Sequence, residues 1–249
     1  MKRMKLTAYV LGLLTMAFTL QSCDDDDDDN YWTLRMPTAL VTVCPQDDGT
    51  FTMQLDNNTT LFPSNMDKSP YGDKEVRALV NYTKEYTEDG SFTADKIRSV
   101  HINWIDSIRT KMPVPTLGEE NDAKYGKDPI EIVRDWVTVA EDGYLTLRIR
   151  TTWGVVNTPH YINLLTGVNP ENPYELELRH DAKGDVGGYF ADALIAFNLN
   201  DLPRTDDKNV KIKLNWQSFS GKKSIEFELY LRPQEEKEYP VMEHNKLVK

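Results

Sequence analysis

Val137-Thr138-Val139-Ala140-Glu141-Asp142-Gly143-Tyr144-Leu145-Thr146-Leu147-Arg148-Ile149-Arg150 is the stretch on which the fold turns. Along an extended strand successive side chains point to opposite faces, so a half-buried strand alternates apolar and polar residues. Val133, Asp135, Val137 and Val139 run into the Glu141-Asp142-Gly143 turn, and Leu145, Leu147 and Ile149 leave it, alternating with Thr146, Arg148 and Arg150. This predicts an antiparallel hairpin with one wet face. Rows of the same kind follow: His160, Ile162 and Leu164; Tyr174, Leu176, Leu178 and His180; Ala193, Ile195, Phe197 and Leu199. Val210 to Trp216 and Ile225 to Leu231 complete the set. Seven or so strands separated by turn signals predict a β-sandwich over 129–233, with a loose polar tail over 234–249.

The pattern is the same upstream. Ala39, Val41 and Val43 precede a turn at Gln46-Asp47-Asp48-Gly49, after which Phe51, Met53 and Leu55 alternate with Thr52 and Gln54. Asp56-Asn57-Asn58 is a second turn, Thr59 to Phe62 a short return, and Val76 to Tyr82 and Val100 to Trp104 two further strands around a Glu88-Asp89-Gly90 turn. Five short strands without a long helix predict an OB-like barrel over 38–111, a form that closes its own edges. Between the halves, 112–128 is rich in proline and acid without periodicity, which predicts an extended strut followed by a flexible linker. The fold class expected is all-β, barrel then sandwich.

The N-terminus carries an address. Lys2, Arg3 and Lys5 precede an apolar run from Leu6 to Leu20 too short to span a bilayer comfortably, which describes a secretory signal peptide over 1–22. Leu20-Gln21-Ser22-Cys23 resembles the lipobox of bacterial lipoproteins, and that resemblance implies a lipid on Cys23 as the mature N-terminus. Asp24, Asp25, Asp26, Asp27, Asp28 and Asp29 repel one another and cannot bury, so 23–37 reads as a lipidated cysteine and a solvated spacer. A calcium loop is disfavoured, because such loops space their carboxylates and include a turn glycine. An acidic run after the lipidated cysteine resembles the surface-export signal of Bacteroidetes lipoproteins, implying outer-membrane attachment facing outward; the alternative is a periplasm-facing lipoprotein.

Charge limits the partners. The 249 residues carry a formal charge of -11, and removing the leader's three cations takes this to about -14. Nucleic-acid phosphate would meet repulsion, and the acidic turns of the barrel supply no positive groove, so no nucleic-acid partner is expected. With Cys23 assigned to lipid, Cys44 has no disulfide partner and reads as a small buried hydrophobe.

Pro159-His160-Tyr161-Ile162-Asn163-Leu164-Leu165, with Leu176-Glu177-Leu178-Arg179-His180-Asp181-Ala182-Lys183-Gly184-Asp185, resembles the NigD-like lipoproteins of Bacteroidetes. Val41-Thr42-Val43, Asp48-Gly49-Thr50-Phe51 and Val76-Arg77-Ala78-Leu79-Val80-Asn81-Tyr82 extend the resemblance over nearly all the mature chain. It implies an N-terminal OB-like domain, a C-terminal β-sandwich and a bacteriocin-immunity role that the family's name carries without a mechanism.

One constellation is worth weighing as chemistry. His160 and His180 end core-facing rows on different strands, and Asp185 in the next loop could complete a metal site or orient an imidazole. The structural alternative is favoured: a turn in which Asp185 accepts backbone hydrogen bonds and Arg179 neutralises a carboxylate, since no close metal-ligand spacing is present. Hence no metal, no other cofactor and no catalytic residue are expected. Trp153 and Tyr161 could contact a sugar at the sandwich rim, although packing is the commoner fate of such aromatics. Asp106-Ser107-Ile108 resembles the Bacteroidetes O-glycosylation motif, implying sugar on Ser107. The function expected is a surface lipoprotein without enzymatic activity that binds an unknown protein or glycan partner, with the membrane reached through the lipid on Cys23. A glycan- or small-molecule-binding role in nutrient uptake is the alternative, and a metal-dependent hydrolase is third.

Overall fold

The computed structural model describes residues 35–85, 97–154, 158–205 and 209–233. The expected leader, Cys23, the aspartate run, the Glu88-Asp89-Gly90 turn and the 234–249 tail lie outside the described residues.

Five strands form first: β1 (Ala39–Pro45), β2 (Phe51–Gln54), β3 (Thr60–Pro63), β4 (Val76–Lys84) and β5 (Ile97–Ser107). They close into a barrel in the order β1-β2-β3-β5-β4. β1 pairs antiparallel with both β2 and β4, and β3 joins β5 in parallel, which leaves no open edge. Val41, Val43, Met53, Leu61, Ala78, Val80 and Val100 fill the interior, as the alternation requires. The first turn is fixed by Asp48, whose carboxylate accepts from the Thr50 backbone N–H and hydroxyl.

Ten strands follow: β6 (Arg109–Lys111), β7 (Val114–Pro115), β8 (Glu131–Val133), β9 (Val139–Glu141), β10 (Tyr144–Trp153), β11 (Tyr161–Thr166), β12 (Glu175–Asp181), β13 (Tyr189–Asn198), β14 (Asn209–Ser218) and β15 (Gly221–Tyr230). One sheet runs β6-β13-β10-β8, with β9 also on β10, and the facing sheet runs β15-β14-β12-β11-β7. Leu145, Leu147, Ile149 and Phe197 from the first sheet pack with Leu164, Leu176, Leu178, Ile212 and Leu214 from the second. The β9–β10 hairpin turns where the sequence places it. Gly143 there has φ 75°, and a Cβ on it would lie 2.0 Å from Asn200 Oδ1, so a larger residue would be strained and would displace the Asn200 side chain.

Three features differ from the sequence reading. The row Val133 to Val139 is two short strands, because the chain turns at Asp135, which accepts from the Trp136 backbone N–H and pairs with Arg148. Arg109–Lys111, expected in the barrel, pairs in parallel with β13. The expected linker is built into the second sheet instead of hanging free: Val114–Pro115 pairs with β11, and a 3₁₀ turn (Gly118–Glu120) leads into helix α1 (Asn121–Tyr125). Asn121 Oδ1 accepts from Leu117 N–H, the Tyr125 hydroxyl lies 3.2 Å from Pro115 O, and Arg179 reaches Asp122 and the Gly126 carbonyl.

Barrel and sandwich are welded. Arg77 of β4 has no exposed surface; it donates to Glu141 Oε1 at 2.5 Å, to Thr42 Oγ1 at 2.9 Å and to Thr146 Oγ1 at 3.4 Å. Thr42 donates onward to Asp142, whose carboxylate is held through two nitrogens of Arg232; Arg232 also grips Glu75, which accepts from the Tyr144 hydroxyl. Leu40, Ile108 and Ala196 add an apolar seam beside Leu79, Val139 and Leu194.

Candidate functional site

The last strand residues of β10, the residue before β11, the end of β12 and the loop after it meet at one end of the sandwich. Ile162 pairs with His180, so His160, two residues back on the same face, falls diagonally beside it. His160 Nδ1 lies 2.9 Å from His180 Nε2, and His160 Nε2 lies 3.3 Å from Asp185 Oδ2. At the far end His180 Nδ1 lies 3.1 Å from the Pro129 carbonyl. Trp153 stacks on His160 with ring centroids 3.9 Å apart. His180 and Asp185 are buried, as are the side chains of His160 and Asp185 in their ion-pair contact.

The proton count of this chain follows from its ends. A carbonyl only accepts, so His180 Nδ1 carries its hydrogen and Nε2 is then the acceptor in the neutral ring. His160 Nδ1–H must donate to it. That leaves one proton between His160 Nε2 and Asp185 Oδ2, and the Gly154 backbone N–H, 3.0 Å from Asp185 Oδ1, supplies a further donor to the carboxyl. Burial lowers the His180 pKa, partly opposed by its bond to Pro129, which agrees with the neutral ring.

The structure therefore brings together Trp153, His160, His180 and Asp185 and separates Tyr161. Tyr161 is exposed with the Lys183 ammonium 5.3 Å above its ring, whereas one face of Trp153 is covered by His160, so the two are not a matched sugar platform. The histidines spend nitrogens on each other, and among the described residues no group of three His, Cys, Asp or Glu is arranged to hold a metal ion. The relay runs from a carboxyl to a backbone carbonyl, which cannot pass a proton on. What the arrangement does is tie β10, β11, β12 and the Asp185 loop at one point. Arg179 is ion-paired with Glu177 and Asp122. Ser107, the last residue of β5, is exposed. Cys44, expected to be buried, is half-buried; its thiol is pushed up to about 12, chiefly by burial and then by Glu75, so it stays protonated at neutral pH.

Next to this end lies a surface that sequence reading missed. Val186, Tyr189, Phe190 and Phe219 are exposed, Tyr189 to 87%, and Phe190 and Phe219 meet edge to face at 5.2 Å. Tyr189 pairs with Trp153 across β13 and β10. Gly188, with φ 88°, lets β13 start there: a Cβ would stand 2.1 Å from the Trp153 carbonyl oxygen. Two adjacent aromatics cannot both face the core in a strand with period two, and that signal was available in Tyr189-Phe190.

A five-stranded OB barrel continuous with a two-sheet β-sandwich, knit by buried charge, defines the class. Residues 40–108 match the NigD-like N-terminal OB domain and residues 112–229 the NigD-like C-terminal beta sandwich domain. The chain belongs to the NigD-like family. A solved structure described as a toxin-related protein from Parabacteroides distasonis is 31% identical, with a TM-score of 0.64 over 77% of this chain and 92% of that one. A protein of unknown function from Bacteroides vulgatus is 22% identical, with a TM-score of 0.58 over 81% of this chain and 93% of that one. A NigD-like immunity protein from Bacteroides caccae is 21% identical, with a TM-score of 0.54 over 77% of this chain and 96% of that one. These last two likenesses speak for the fold. No curated protein matches the chain.

Proposed function

We propose that the protein is a non-enzymatic binding module, anchored in the outer membrane by lipid on Cys23 and facing outward on its aspartate spacer, that engages a protein partner. The observation that carries binding is the exposed cluster of Val186, Tyr189, Phe190 and Phe219 at one end of a rigid sandwich. Aromatic side chains left in water on a fixed scaffold are the groups that anchor protein interfaces. A bacteriocin-immunity role, capture or exclusion of a toxin at the surface, fits the family's name. Among the described residues no helix is long and apolar enough to cross a membrane. On the same reading Ser107, exposed at a strand end, carries the O-linked sugar.

The test is cross-linking in intact cells carrying a tagged copy, against Cys23→Ala and against Tyr189→Ser with Phe190→Ser. Capture of a bacteriocin, or of the outer-membrane receptor one exploits, that needs both Cys23 and the aromatic pair supports the reading. Capture unaffected by the aromatic pair, or a tag unreachable from outside, overturns it. Intact mass of the mature protein checks both the lipid and the Ser107 sugar.

A further inference from the structure

The outward face of the second sheet carries a groove of about 1030 Å³. Its floor is laid in cross-strand rows: Glu177 of β12 pairs with Asn215 of β14, which pairs with Ser224 of β15; Gln217, further along β14, pairs with Lys222. One wall is the segment expected to be a linker, where Asp122 of α1 and Lys127 stand. Phe219, in the β14–β15 turn, and Val168 line the groove as well.

The charges of this groove cancel. Four acids, Asp122, Asp128, Glu175 and Glu177, face four bases, Lys127, Arg179, Lys222 and Lys223. Most are locked: Arg179 bridges Glu177 at 2.9 Å and Asp122 at 2.7 Å, and Lys223 reaches Glu131 at 2.9 Å. Glu175 accepts from Asn169, Lys213 and Asn215, and these bonds, Asn169's first, hold its carboxyl below the usual range. A charged ligand gains no net attraction from such a surface, and a wholly apolar one would cover its charged and amide groups without bonding them. A neutral chain of hydroxyls, each both donor and acceptor, can bridge fixed carboxylate, guanidinium and amide groups. Phe219, exposed in the lining, offers an apolar ring of the kind that sugar C–H groups cover.

We propose that this groove binds a neutral polyhydroxylated chain, an oligosaccharide, along β14. Gln217 and Lys222 are the contacts to test, because both are exposed and Lys222 makes no ion pair with any described residue. The volume is at the upper end of ligand sites, suited to several sugar rings. The groove shares Phe219 with the aromatic cluster of the protein-binding reading, whose Val186, Tyr189 and Phe190 do not line it.

The purified protein is titrated calorimetrically with neutral glucan, mannan and xylan hexasaccharides, and with an acidic polygalacturonate fragment. Gln217→Ala and Lys222→Ala are compared with Lys211→Ala, on the same sheet outside the groove, and with Tyr189→Ser. Binding of one neutral hexasaccharide, weakened about tenfold by each groove variant and unchanged by the two controls, is the expected result. Equal melting temperatures check that the variants fold, and should either fail, Lys222→Gln replaces it. No heat with any neutral hexasaccharide, preference for the acidic fragment, or binding indifferent to Gln217 and Lys222 overturns the proposal.

Discussion

Arg77 shows how much one side chain can hold. A guanidinium with no exposed surface loses its hydration, and the loss is offset only because Glu141, Thr42 and Thr146 meet its nitrogens. Arg77→Ala leaves the half-buried Glu141 and the buried Thr42 and Thr146 without their partner and is expected to cost about 1–3 kcal/mol, read as a lower urea midpoint. Removing both charges, Arg77→Met with Glu141→Gln, is expected to restore part of that. His180 sets a pH dependence of definite sign. Its folded pKa lies below the ordinary histidine value of 6.5, so the unfolded chain binds the extra proton first. The stability it contributes is complete above that value and is lost as pH falls from there through the folded pKa. Thermal melts across that window should fall with acid, and His180→Asn should flatten the slope.

At the scale of elements, Gly188 decides where β13 begins. Gly188→Ala forces a Cβ against the Trp153 carbonyl at a positive φ and is expected to cost about 1–3 kcal/mol, with altered Trp153 emission reporting a loosened β10–β13 end. The hairpin around Gly143 was legible because alternation and turn chemistry agree on both sides of it. The break at Asp135 was not, since Val133, Val137 and Val139 keep apolar parity through a turn held by a pairing with Arg148, distant in sequence. α1 is five residues, too few to display a helical period, and its order comes from tertiary contacts of Asn121, Tyr125 and Asp122. The same division explains the site: two histidines on adjacent strands could be brought together by parity, but Trp153 belongs to the opposite sheet and its stacking leaves no mark in a strand pattern.

For the whole molecule, Met36 onward behaves as one compact unit. Heating should give one calorimetric transition with equal calorimetric and van't Hoff enthalpies, because the Arg77 and Asp142 networks melt with both halves. Expressed alone, residues 36–108 would carry Arg77 without Glu141 and Leu40 without Ala196, and should show no cooperative melt.

The parallel pairing of β12 with β14 puts β13, in the other sheet, between them in sequence. The centre of the second sheet cannot zip until the chain has crossed to the opposite layer and returned, and Arg77 meanwhile waits for Glu141, 64 residues further on. Assembly is thus governed by long-range closure, the slow regime of folding, and nascent chains remain open to chaperones and to one another for that interval.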